Sequence, residues 1–124
     1  MEAVLLVSHG SKSGEARREI DALAGRLAPV AAGRGLAIFE SAFLEVEAPT
    51  LPQGLEACAR KGATRITVLL NFLNSGRHVT EHIPALVREF EAAHPGLACR
   101  LTPCLGLHPK IDELCLDLIQ KGKK

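Results

Sequence analysis

The chain has 124 residues, 15 Lys and Arg against 14 Asp and Glu, 47% hydrophobic and 23% charged residues, the size and balance of one globular domain over residues 1–124. A formal net charge of +1 and only four Phe exclude a surface built to collect a phosphate backbone or to stack bases, so nucleic acid is not an expected partner. No apolar run reaches the roughly 18 to 20 residues of a membrane span, and Met1 leads into a strand-like segment, so the expectation is a cytoplasmic chain with no membrane partner.

Apolar runs of strand length alternate four times with segments of helical period, the pattern of βα units around a mostly parallel sheet. Glu2 to Ser8 reads as a strand covered on both faces, and therefore central. Ile20, Leu23, Leu27 and Val30 then recur at helical spacing from Ser11 to about Ala31, with Ser11 or Ser13 as N-cap and Gly33 and Gly35 ending the helix. A second strand spans Leu36 to Leu44, and its helix opens at Pro49 or Thr50 and stops at Gly62. Thr64 to Leu73 is the clearest strand, rich in β-branched and apolar residues, and the helix after it runs to about Ala93 before His94-Pro95-Gly96. Ala98 to Cys104 reads as a fourth strand, placed at or near an edge by Pro103. A last helix covers Lys110 to Gln120, and the tail after it is expected to fray. The expected fold is α/β, a three-layer flavodoxin-like domain with helices on both faces of a four-stranded sheet. Right-handed crossovers leave few strand orders, and 2-1-3-4 puts the most apolar strand inside. The four cysteines form no C-x-x-C pair and are expected as free buried thiols.

In open parallel sheets ligands bind beyond the carboxyl ends of the strands, where loops meet helix N-termini. The residues there are Ser8-His9-Gly10-Ser11, Glu45, Asn74-Ser75-Gly76-Arg77-His78 and Gly106-Leu107-His108. A lone loop histidine is commonly just solvated, but Gly10 and Gly76 beside His9 and His78 allow close backbone approach or positive φ. His9 and His78 are therefore the functional candidates, whereas His94 belongs to a helix-ending turn. HVTEH, residues 78–82, also fits the H-x-x-E-H pattern of one zinc peptidase group, but Pro84 sets His78 and His82 astride a helix entry instead of on one continuous helix. No phosphate-cradling glycine motif occurs. A histidine phosphatase would need Arg before His9, where this chain has Ser8.

VSHGS (residues 7–11), FLEVEAPTL (43–51), NFLNSGRHVTEHIP (71–84) and LGLHP (105–109) together resemble the short form of the CbiX-type sirohydrochlorin chelatases, in order and over nearly the whole chain. The resemblance implies a chelatase-like α/β fold, a homodimer, and insertion of Co²⁺, or in relatives Fe²⁺ or Ni²⁺, into the tetrapyrrole sirohydrochlorin in cobalamin or siroheme biosynthesis. It implies no cofactor beyond the substrate metal ion. It also implies that His9 and His78 are the metal-handling pair and that Glu45 is a supporting ligand or proton acceptor. His82 stands where the resemblance leads one to expect Asp, so it either adds a ligand or replaces a capping carboxylate.

The residue chemistry suits that reaction. Neutral imidazole ligates these ions without holding them irreversibly, and with a pKa near 6.5 it also accepts protons at neutral pH. The ring's carboxylates call for cations and free N–H groups, for which Ser8, Gly10, Ser11, Lys12, Gly76 and Arg77 are placed. Phe72, Leu73 and Leu44 could line an apolar slot for the ring. A metal-delivery protein using the same histidines without turnover is the alternative reading.

Overall fold

The computed structural model describes residues 1–123; Lys124 and the side chains of His78 and Thr80 lie outside the described residues. In chain order the elements are β1 Glu2–Ser8, α1 Gly14–Gly33, β2 Ile38–Phe43, α2 Leu51–Arg60, β3 Arg65–Leu70, α3 Ile83–Ala93, β4 Ala98–Leu101 and α4 Ile111–Gln120. A π-turn, His78–His82, precedes α3, and a 3-10 turn, Leu105–Leu107, precedes α4. The four strands form one parallel sheet in the order β2-β1-β3-β4, as expected.

β1 lies inside because it can be covered on both faces: Ala3 to Ser8 are all buried. Its alternation sends Ala3, Leu5 and Val7 toward α2 and α3, where they join Leu55, Ile66, Val68, Ile83 and Val87 in the main core. Each fully buried Leu, Ile or Val there contributes about 1.5 to 3 kcal/mol by leaving water. Close approach of α2 depends on Gly54, where a Cβ would sit 2.8 Å from both Ala42 Cβ and Leu5 Cδ1. Thr50 caps that helix reciprocally, its hydroxyl accepting from the Gln53 N–H while the Gln53 side chain accepts from the Thr50 N–H. Ser13 caps α1 by accepting the Glu15 N–H.

Several expectations need correction. β3 ends at Leu70 and β4 at Leu101, short of Leu73 and Cys104. The last ladder bond on β4 runs from the Thr102 N–H to the Val68 carbonyl, and Pro103 has no N–H to continue it. α3 does not follow β3 directly but begins after the π-turn, with Pro84 in its first turn. The three-layer picture holds for α1 on one face and α2 with α3 on the other, but α4 packs in neither layer and touches the body through the 3-10 turn before it. The cysteines are free, but Cys115 is exposed and Cys99 only half-buried. Among the described residues no helix is long and apolar enough to cross a membrane.

Candidate functional site

The carboxyl edge is built outward from β1. Past the ends of the strands, the Leu44 N–H donates to the Ser8 carbonyl at 3.0 Å, the Glu45 N–H to the His9 carbonyl at 3.0 Å, and the Asn71 N–H to the Val7 carbonyl at 2.9 Å. The Asn71 amide also donates to the buried Ser8 hydroxyl at 3.1 Å, tying β1 to β3 just below His9. Ser8 thus cross-links the two strands. His9 is exposed, its ring edge-on to Phe72 with 4.6 Å between centroids.

Gly10 takes φ +96, and a Cβ there would run into the Glu45 carbonyl. Both reasons for glycine beside a functional histidine, positive φ and close approach, hold at this position. Neither holds at Gly76, which lacks positive φ and has open space where a Cβ would stand. The loop facing Gly10 turns at Val46, a β-branched residue held at φ +70, which is backbone strain of the kind that clusters at functional sites.

That turn separates two carboxylates. Glu45 is exposed, and its main chain, not its side chain, holds the His9 loop. Glu47 is half-buried and accepts the Ser11 N–H at 2.8 Å through Oε2, while Oε1 lies 3.4 Å from the Arg17 guanidinium. Arg17 in turn donates to the Ala48 carbonyl at 3.2 Å and lies over the Phe43 ring at 4.7 Å. The carboxylate that pins the His9-Gly10-Ser11 turn is therefore Glu47, which, unlike Glu45, the sequence did not single out. No local signal separates the two, since both follow β2 in one loop. The Ser11 N–H, expected to be open to an anion, is engaged by Glu47, and the Ser13 N–H is engaged by the Ser11 hydroxyl at 3.1 Å. A cavity of about 360 Å³ opens here, with His9, Ser11, Glu19, Phe43, Glu47 and Asn71 in its wall. Neither Glu45 nor Lys12 lines it, although Ser8 and Gly10 do.

The edge beyond β3 is more open. Arg77 is exposed and lies 3.9 Å from Glu81 of the π-turn, and these two with His82 and Ala85 border a hollow of about 390 Å³. Position 78 begins the π-turn at the carboxyl end of β3, the strand beside β1; its side chain lies outside the described residues. His82 is exposed at the N-cap of α3 and makes no side-chain cap hydrogen bond there, so it does not replace a capping carboxylate. His108 is exposed and accepts the Lys110 N–H at 3.0 Å, a role within its own turn. His94 is structural, as expected: Nδ1 is 2.9 Å from the Phe90 carbonyl and Nε2 is 3.2 Å from Glu56. Of the proposed slot residues Phe72 is buried, Leu44 half-buried and Leu73 exposed.

Burial pushes the Cys58 thiol up to about 12 and the Cys99 thiol up to about 11, with Glu40 and Glu91 respectively adding repulsion, and burial also raises Cys104. All three stay protonated at neutral pH, and the thiolate is the metal-binding form. Among the described residues, no three His, Cys, Asp or Glu side chains are grouped to hold a metal ion.

The fold and this edge define an open, all-parallel α/β protein with an open loop edge beyond the carboxyl ends of β1 and β3. The family model described as CbiX matches residues 3–121, and the chain belongs to that family. It is 30% identical over 121 residues to the sirohydrochlorin ferrochelatase of Priestia megaterium, covering 98% of this chain and 44% of that protein. With the sirohydrochlorin cobaltochelatase of Methanocaldococcus jannaschii it shares 37% identity over 95 residues, 76% of this chain and 64% of the relative. The crystal structure of the sirohydrochlorin chelatase SirB from Bacillus subtilis subspecies spizizenii in complex with cobalt superposes with a TM-score of 0.82 at 25% identity, over 97% of this chain and 50% of that one. The chain spans about half the length of the first of these relatives.

Proposed function

We propose that this chain inserts a divalent metal ion into sirohydrochlorin, as a lyase-type chelatase of cobalamin or siroheme biosynthesis, with His9 and His78 handling the ion. The observation that carries the reading is the placement of His9: it is exposed at the end of β1, backed by Phe72, and beside a cavity at the edge from which position 78 also starts. The names of the relatives support sirohydrochlorin as the substrate. Co²⁺ is the ion we put first, with Fe²⁺ and Ni²⁺ as alternatives, because imidazole accepts all three. No resident cofactor is proposed.

Insertion requires the hydrated ion to shed water while two pyrrole N–H protons leave the ring. Neutral imidazole serves both needs, as ligand and as proton acceptor, and the exposure of His9 beside the cavity supports that role for it. Glu45 receives a released proton or passes it to solvent, a role supported by its exposure and by its main-chain bond to the His9 carbonyl. Arg77, highly exposed at this edge, is the cation we assign to a ring carboxylate. We further propose a cytoplasmic homodimer, in which a second copy supplies the wall that a single open edge lacks.

The test is an anaerobic absorbance assay of sirohydrochlorin with Co²⁺, Fe²⁺ and Ni²⁺ in turn. The protein is expected to accelerate the spectral change with at least one ion. His9→Ala and His78→Ala are each expected to slow it by about a hundredfold or more while leaving the fold intact. Rates equal with and without protein for all three ions would remove the proposal. Stoichiometric metal binding without turnover would favour delivery instead.

A further inference from the structure

The two hollows of the carboxyl edge differ in charge. The cavity beside His9 takes part of its wall from α1, which contributes Glu19 and Ile20, and the oxygen-bearing side chains of Ser11, Glu47 and Asn71 complete its polar lining. Among the described residues no lysine or arginine lines it. The hollow beyond β3 instead sets Arg77 against Glu81, and Leu73 stands exposed just after that strand.

The two carboxylates of the His9 cavity are not equivalent. Glu47 is committed: it accepts the Ser11 N–H at 2.8 Å and pairs with Arg17 at 3.4 Å. Glu19 is exposed and stands in no ion pair among the described residues, while Arg17, two positions before it, is shared by Asp21 and Glu47. One uncompensated negative charge therefore lies in the wall of the cavity that His9 also borders.

Size and charge select the guest. A divalent ion with an octahedral shell of about six waters, at about 30 Å³ each, needs about 180 Å³. The cavity holds about 360 Å³, room for the ion with its shell intact. A macrocycle bearing several carboxylates is repelled by Glu19 and meets Arg77 on the other half. His9 stands at the junction: it borders the cavity, and its ring touches Phe72, which is outside the cavity wall.

We propose that Glu19 captures the incoming divalent ion as its aquo complex and that the cavity passes it to His9, while the ring binds outside the cavity. The inference rests on the insertion reading above for the fate of the ion, and adds to it an entry that the ring does not use. The step is a ligand exchange: bound waters donate to the Glu19 carboxylate, and one water leaves as an imidazole nitrogen of His9 takes its place on the ion. An exposed carboxylate suits capture better than retention, because its attraction reaches out by about a Debye length, about 10 Å at 0.1 M salt, without forming a closed ligand cage.

Calorimetric titration of the purified full chain with Co²⁺ alone reads capture without tetrapyrrole or turnover. Glu19→Gln is expected to raise the Co²⁺ dissociation constant about three- to tenfold, by an amount that shrinks as KCl is added, with the circular dichroism spectrum unchanged. Glu15→Gln removes the same charge from the same helix four positions earlier, outside the cavity wall, and is expected to leave that constant within about twofold. In the insertion assay Glu19→Gln is expected to raise KM for the ion by a similar factor, leaving kcat and the KM for sirohydrochlorin unchanged, with most of the loss restored in Glu19→Asp. Equal weakening by Glu19→Gln and Glu15→Gln would assign the effect to general surface charge and overturn the proposal. So would a Co²⁺ affinity that Glu19→Gln leaves unmoved, or a KM for sirohydrochlorin that falls in Glu19→Gln, since the ring would then occupy the cavity. A titration that shifts as expected in a chain that inserts no ion would remove the insertion reading and leave the capture site standing; insertion with an unmoved titration would remove the capture site alone.

Discussion

The two halves of the carboxyl edge are built differently. The half around His9 is over-determined: main-chain bonds from Leu44, Glu45 and Asn71 end on β1 or its extension, Glu47 holds the Ser11 N–H, and Gly10 has no room for a side chain. The half beyond β3 is lightly held, with Arg77 exposed, open space at Gly76 and a π-turn leading into α3. The contrast fits a division of labour in which one half fixes an imidazole in advance and the other leaves space for a large planar ring to enter. Under the proposed insertion, preorganisation of the fixed half would lower the ordering cost of presenting the imidazole.

The largest effect should come from breaking the fixed half at its tightest point. Gly10→Ala forces a Cβ into the Glu45 carbonyl at a positive φ, and a loss of about 2 to 4 kcal/mol of stability is expected from strain and overpacking, read by urea unfolding, together with loss of insertion. Glu47→Gln keeps the shape but weakens the hold on Ser11 and Arg17. A fall of about 10 to 100-fold in kcat is expected, as for other residues that orient a metal-handling group, with KM little changed and partial rescue in Glu47→Asp; an unaltered kcat would make Glu47 a purely structural neighbour. Arg77→Ala on the open half is expected to act on KM, by a few-fold, because an exposed guanidinium contributes little beyond about 1 kcal/mol. The smallest effect lies away from the edge. Cys58 has a folded-state pKa raised to about 12 by burial, so above the unfolded thiol value near 9 the unfolded chain has lost a proton that the native chain keeps. Stability is then complete below pH 9 and declines as the pH rises toward 12. Cys58→Ala is expected to flatten that alkaline decline in thermal melts, at a cost in stability at neutral pH from the lost packing.

The same contrast explains what was legible before folding. The order 2-1-3-4 could be read because Ala3 to Val7 is apolar on both faces, which admits only an inner position, while Pro103 marks an edge. His9 with Gly10 could be read because a glycine beside a strand-end histidine has a conformational meaning. Gly76 invited the same argument and does not satisfy it, since the feature that decides is φ and spatial crowding, which residue type alone does not encode. That Glu47 and not Glu45 holds the Ser11 N–H was illegible for a related reason. The turn at Val46 reassigns which carboxylate faces Ser11, and a valine at φ +70 carries no sequence mark. Stripe spacing made α4 a helix, but nothing in the spacing says whether that stripe meets its own sheet.

By itself, then, the amino-acid sequence determined the α/β alternation, the central strand and the strand order, because these depend on hydrophobic period and on glycine and proline, which act locally. Tertiary structure alone decided which carboxylate holds the His9 turn, which N–H groups are already engaged, and that α4 stands off the sheet. Those outcomes depend on contacts between residues 30 or more positions apart, such as Ser11 with Glu47 and Gly106 with Phe72, where a fraction of an ångström separates a hydrogen bond from a clash.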